Sequence, residues 1–265
     1  MKRLIAMLLA LVMVLALAAC APANTNPSTP ATTPSTEAST PKDDPAVKSE
    51  GVMTYAEYAA AELDSTVTVE VYVQGKQSWW TDDAGVSKAT FYAQDTVGGY
   101  LLYNMACTQE QYNQIVPGTK LKVTGAKAEW SGEVEIVDAT FEILEGSYIA
   151  EAVDVTALLG QDALAEKMNM LVAFKGMTVV AANEAGDAFL YKYNGSGKEG
   201  DDLYFNVSIG DATYTFCVES YLCGVDTDVY KAVQALKVGD TIDMEGFLYW
   251  YSGAQPHITS VKPAA

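Results

Sequence analysis

Apolar and polar residues alternate along this chain in short runs, and the runs come twice in the same order. Val67, Val69, Val71 and Val73 alternate with Thr68, Glu70 and Tyr72, the period of two expected of a half-buried strand. Thr90 to Gln94 and Tyr100 to Met105 read as a second and third strand around the turn at Gly98-Gly99. Thr108 to Val116 has helical character and is stopped by Pro117-Gly118. Gly118 to Val137 then gives a strand, an aromatic-Ser-Gly turn and a returning strand. A short helix running from about Met53 to Leu63 precedes all of this. Thr54 and Glu57 have capping-box spacing there, and Met53 with Tyr58 forms the hydrophobic staple.

The second pass starts after a connection, Asp154 to Met168, that reads as helical. Leu171 to Val180 is its first strand, Leu203 to Ile209 and Thr213 to Glu219 form a hairpin, and Thr227 to Leu236 is the intervening helix. Thr241 to Tyr251 then pairs with His257 to Val261. The clearest correspondence sets Gly118 against Gly239, Leu121 against Ile242, Val123 against Met244 and Gly125 against Gly246. It continues with Trp130 against Tyr251 and Ser131-Gly132 against Ser252-Gly253. Three strands, a helix and a hairpin is an order that resembles the OB-fold, a five-stranded Greek-key barrel. The expected fold class is all-β with short helices: two tandem OB-fold-like barrels, Gly51 to Gly146 and Ser147 to Ala265.

Composition changes the picture mainly at the start of the chain. Met1-Lys2-Arg3 followed by the apolar run Leu4 to Ala19 has the form of an export signal. Residues 1 to 20 close in Leu17-Ala18-Ala19-Cys20, which resembles the lipobox of bacterial lipoproteins and implies lipidation of Cys20. Ala21 to Glu50 is rich in Thr, Pro, Ser and Ala, too poor in large apolar groups to offset its chain entropy, and reads as a disordered spacer. The expectation is a domain pair tethered to the outer face of the cytoplasmic membrane. The net charge of −18 suits solubility there and argues against a nucleic-acid partner.

Candidate chemistry is sparse. Cys107, Cys217 and Cys223 show no CxxC pair and no histidine companions, so no zinc site is expected; buried thiols are the default, with Cys217-Cys223 a disulfide candidate. Gly195-x-Gly197-x-x-Gly200 has the spacing of a dinucleotide fingerprint, but a strand rather than a helix follows it, so it reads as a loop. His257 is the sole histidine and has no patterned nucleophile, and is read as structural or exposed. Asp82-Asp83 and Asp201-Asp202 lack calcium-loop spacing. Glu133 and Glu135 share one strand face, with nothing in the sequence marking either as buried. No catalytic residue, metal or cofactor is expected.

What remains is aromatic. In an OB-fold the loop between the first two strands lies beside the turn between the last two, and together they edge the binding face. The first copy puts Trp79 and Trp80 in one and Trp130 in the other; the second puts Tyr191 and Tyr193 in one and Tyr249, Trp250 and Tyr251 in the other. Such rings stack on sugars or bases, or close the barrel mouth. Lys76 and Lys127 are the nearest cations to the first rim. The lipobox, the Thr/Pro/Ser stalk and the stretches TYAEYAAAELDSTVTVEVYVQGKQSWW and VPGTKLKVTGAKAEWSGEVEI together resemble lipoproteins of clostridial and related Gram-positive gut bacteria. That resemblance implies location and fold and carries over no catalytic residue. The sequence therefore predicts a non-enzymatic surface binding protein for a carbohydrate or cell-wall glycan. The alternatives are an interaction module of an envelope complex and single-stranded nucleic-acid binding.

Overall fold

The computed structural model describes residues 44–264; the expected signal, Cys20 and most of the spacer lie outside them. Two closed five-stranded barrels follow one another. In the first, β1 (Thr66–Lys76), β5 (Thr119–Trp130), β6 (Glu133–Ser147), β4 (Gly99–Ala106) and β3 (Ser87–Gln94) are neighbours in that order, and β1–β3 pairing closes the ring. The short β2 (Trp80–Thr81) extends β3. In the second, β8 (Leu171–Val180), β12 (Thr241–Phe247), β13 (His257–Pro263), β11 (Ala212–Val218) and β10 (Leu203–Ile209) are closed by β8–β10 pairing. The two-residue β7 (Val153–Asp154) and the three-residue β9 (Phe189–Tyr191) lie at its ends. All pairs are antiparallel within each ring except β4 with β6 and β11 with β13. This is the Greek-key pattern expected from the sequence, with α2 (Gln109–Gln114) and α3 (Asp228–Gln234) before the final hairpins.

The repeated positions coincide in backbone as well as sequence. Leu121, Val123, Ile242 and Met244 are all buried, each alternate residue pointing into its own barrel. Gly125 and Gly246 both stand where the hairpin register slips, and a Cβ at Gly246 would collide with the His257 carbonyl. Ser131 and Ser252 have the same left-handed φ of 54°, each followed by a positive-φ glycine. The repeated Ser-Gly pair is thus a backbone requirement of the turn.

Three expectations change. β1 is buried on both faces rather than one, because the segment before α1 (Tyr55–Ala60) covers its outside. Met53 bridges to Val69 there, and Lys48 Nζ donates to Glu70 O at 2.8 Å and to Asp95 Oδ2 at 2.7 Å. The 154–168 connection forms two 3₁₀ turns, Thr156–Leu158 and Asp162–Lys167, and no α-helix. Cys217 and Cys223 are free and buried, as is Cys107, so the candidate disulfide is absent.

The barrels have separate apolar cores and a third, smaller cluster between them. Phe174, Phe205 and Phe216 fill the second core, and Phe91, Tyr100 and Leu102 belong to the first. Between them Tyr92 and Phe247 stack with ring centroids 4.3 Å apart, flanked by Leu101. Backbones approach closely here: a Cβ on Gly99 would collide with the Asn169 main chain, and one on Gly75 with the Phe247 ring.

Candidate functional site: an aromatic groove between the barrels

The seam is made by hydrogen bonds running from one barrel to the other. Ser78 N donates to Tyr221 O (2.8 Å), Leu171 N to Gln94 Oε1 (2.8 Å), and Asn169 Nδ2 to Val134 O (3.0 Å). The two repeated turns also meet, Ser252 N donating to Ser131 O at 2.7 Å, with the Trp130 and Tyr251 rings 5.2 Å apart. Equivalent tips of the two copies thus sit against each other.

Two clefts of about 480 and 620 Å³ open along this seam and share Glu219, Tyr249 and His257 in their walls. Both volumes fall in the range of about 300–1,000 Å³ typical of small-ligand sites. The first is edged by Trp80, Tyr103 and Tyr221, and the second by Trp130, Tyr193 and Tyr251. All six rings are exposed, Trp80 by 44 %, Trp130 by 55 % and Tyr221 by 66 %. Among the described residues no lysine or arginine lines either cleft.

The floor is polar. Gln77 Nε2 donates to Glu219 Oε2 at 3.0 Å, and burial, reinforced by Asp202, raises the Glu219 pKa to about 7. His257 is buried, with Nδ1 and the Tyr92 hydroxyl 2.8 Å apart in a hydrogen bond and the Tyr249 ring stacked on it at 4.3 Å. Burial lowers its pKa to about 3, so it is a neutral imidazole. Glu133 and Glu135, whose strand pattern does not mark them as internal, are both buried, outside the lining of either cleft. Burial raises Glu133 to about 8 and Glu135 to about 7. Glu133 Oε2 accepts a hydrogen bond from Trp250 N at 2.8 Å, across the seam. Among the described residues no cluster of His, Cys, Asp and Glu forms a metal-holding group.

Of the aromatic residues singled out from sequence, Trp80, Trp130, Tyr193, Tyr249 and Tyr251 line the clefts. Trp79 instead packs on the first core, its Nε1 donating to Cys107 O at 3.1 Å. Tyr191 and Trp250 pack on the second core, and the Tyr191 hydroxyl accepts from Gln234 Nε2 at 2.9 Å. Tyr92, Tyr103, Tyr221, Glu219 and His257 join the site only because the barrels dock, and no local pattern marks them. The two lysines nearest the first rim in sequence are structural. Lys76 Nζ donates to Tyr112 O and Ile115 O (both 2.7 Å), and Lys127 Nζ to Tyr58 O, Ala59 O and Ala61 O (3.1, 2.9 and 2.8 Å). They serve the last carbonyls of α2 and α1.

No protein-family profile matches the chain, and no curated protein sequence matches it. Among solved structures it is similar to a murine DNA binding protein bound with double-stranded DNA, at 11 % identity over 75 % of this chain and 96 % of that one, with a TM-score of 0.34. It is similar to the Ifi202 HINa domain in complex with 20bp dsDNA, at 9 % identity over 76 % of this chain and 100 % of that one (TM-score 0.33). It also resembles the single-stranded DNA binding protein from Thermus aquaticus, at 10 % identity over 76 % and 92 % (TM-score 0.24). The expectation from net charge that nucleic acid is disfavoured as a partner is corrected by these matches. Two of these three proteins are solved with double-stranded DNA. Within its described residues, the chain is an all-β protein with short helices, built of two tandem OB-fold-like barrels.

Proposed function

We propose that this protein is a binding module whose ligand lies along the inter-barrel groove, and that the ligand is a carbohydrate. The observation that carries this reading is the pairing of six exposed rings with a floor of carboxyl, amide, hydroxyl and imidazole groups, without a lysine or arginine in the walls. Flat apolar faces stack on rings, and hydroxyl edges meet neutral donors and acceptors. Glu219 and Gln77 are the polar pair best set to meet a hydroxyl, because each is only partly buried and lines the first cleft. The sequence from Leu17 to Cys20 supports display outside the cell on a lipid anchor, in keeping with the resemblance to Gram-positive lipoproteins.

A second reading, single-stranded nucleic acid, is favoured by one observation. Lys88 Nζ lies 5.8 Å from the Trp80 ring centroid, a cation beside a stacking platform, although Asp82 Oδ2 holds it at 2.7 Å. Tryptophan fluorescence separates the two. Titration with cell-wall and plant oligosaccharides is expected to give a saturable shift that salt leaves unchanged and Trp80→Ala abolishes. A shift only with oligonucleotides, weakening steeply between low and moderate salt, would replace the first reading with the second.

A further inference from the structure

We propose that the seam beneath the groove is a proton-controlled latch, in which Glu133 holds the second barrel as a neutral carboxylic acid and loosens it when ionised. The latch is independent of the groove reading above: it rests on the burial of Glu133 in the seam and on its hydrogen bond to the second barrel.

Glu133 is fully buried at the first position of β6. One of its oxygens, Oε2, accepts from Trp250 N, while Oε1 has no partner. The hydrogen-bonding neighbour of this carboxyl is the side chain of Asn169, also buried. Asn169 spends its Nδ2 on Val134 O, and its Oδ1 has no partner. A carboxyl oxygen and an amide oxygen, both buried and both lacking a donor, are satisfied together by one proton on Glu133 Oε1. With that proton, Glu133 bridges the main chain at Trp250 to the side chain of Asn169, and both belong to the second barrel. Without it, a buried carboxylate is left with one backbone donor and one oxygen that has no partner.

Among the described residues no cation acts on this carboxyl. Lys127, on the strand paired with β6, directs Nζ to three carbonyls of the α1 end and lies 5.3 Å from the Tyr58 ring centroid. The other groups facing Glu133 are Glu135 on its own strand, Tyr58 from α1, Tyr92 from β3 and Tyr249 from the segment after β12. Glu135 is a second acid, and the tyrosines are neutral with pKa values raised by burial. The surroundings therefore favour the uncharged form, in keeping with a pKa near 8.

The sign of the effect follows from linkage. A docked pKa near 8 and an undocked value near 4.5 mean that the docked state keeps a proton the undocked state has lost. The latch is complete below about pH 4.5, weakens up to about tenfold per pH unit as pH rises, and levels off above about 8. Glu219 and Glu135 add similar slopes that are half spent at pH 7 and still contribute about twofold each from 7 to 8, so the difference between the wild type and Glu133→Gln reports Glu133.

Amide hydrogen exchange of the purified protein without ligand tests this at Trp250, Leu171 and Ser252, whose N–H groups cross the seam. After correction for intrinsic exchange, the opening constant is expected to rise about fivefold more in the wild type than in Glu133→Gln from pH 7 to 8. In Glu133→Gln the amide keeps the bond from Trp250 N and cannot ionise, so only the rise of about threefold from Glu135 and Glu219 remains. A flat wild type, or a Glu133→Gln variant with the wild-type slope, overturns the latch. If the variant does not fold, carboxyl ¹³C titration of the wild type decides: a Glu133 midpoint near 8 supports the latch, and one below 6 refutes it. Failure of every sugar titration would leave these results untouched.

Discussion

The two barrels follow the same backbone course yet bury different chemistry. In the first, Glu70, Gln94, Asp95, Lys120, Lys127, Glu133 and Glu135 are all buried; in the second the buried polar side chains are Asn169 and His257, and both face the seam. The second core is packed with phenylalanines, Phe216 lying 4.6 Å from Phe174 and 6.3 Å from Phe205. The first barrel is held partly by internal ion pairs and lysine caps, such as Lys120 with Glu70 at 3.5 Å and Lys127 at the end of α1. Repetition has preserved what the backbone needs, namely bulge glycines, left-handed turns and alternating apolar positions. The fillings differ, and the polar ones gather where the barrels touch.

The sharpest way to break this contrast is to remove matched supports. Phe216→Ala is expected to cost about 3–5 kcal/mol, because the ring is 1 % exposed and two other rings lean on it. Urea unfolding followed by circular dichroism checks it. Lys127→Ala should cost about 2–3 kcal/mol by stripping three carbonyls of their donor, the loss appearing in the first barrel's exchange protection. Gly99→Ala should cost about 1–3 kcal/mol, by forcing a Cβ against the Asn169 backbone. Since this contact lies between barrels, unfolding should split into two transitions rather than shift as one.

The pH dependence sharpens the comparison from the other side. His257, with its pKa lowered to about 3 from an ordinary 6.5, costs stability as pH falls through that interval. Glu133, Glu135 and Glu219, raised to about 8, 7 and 7, cost stability as pH rises from about 4.5. Three acids outweigh one imidazole between pH 4.5 and 6.5, so thermal stability should peak near pH 4.5–5 and decline toward 8. A maximum at pH 7 or above would show that these acids are ionised in the folded protein. The smallest expected change in stability is Trp80→Ala, within about 0.5 kcal/mol, because the ring stands at the cleft edge.

The barrels were legible because period-two alternation and repeated turns are local signals: Val67 to Val73 and the paired Ser-Gly turns each announce their element. The connection at 154–168 misled, since its scattered Ala and Leu favour helix locally while the short span between barrels forms only 3₁₀ turns. The aromatic rims were partly legible, through Trp80, Trp130, Tyr193, Tyr249 and Tyr251. Their floor was not, because Gln77, Glu219 and His257 come from strands and turns far apart in sequence. Glu133 on an alternating strand looks like any solvated acid until a second barrel covers it.

The most direct test of the groove as the binding site is residue-resolved NMR of the protein titrated with an oligosaccharide that shifts its tryptophan fluorescence. Perturbations are expected to cluster on Trp80, Tyr103, Tyr221, Tyr249, Trp130 and Tyr251, on both sides of the seam. Perturbations confined to one barrel's outer face, with the seam silent, would contradict the account.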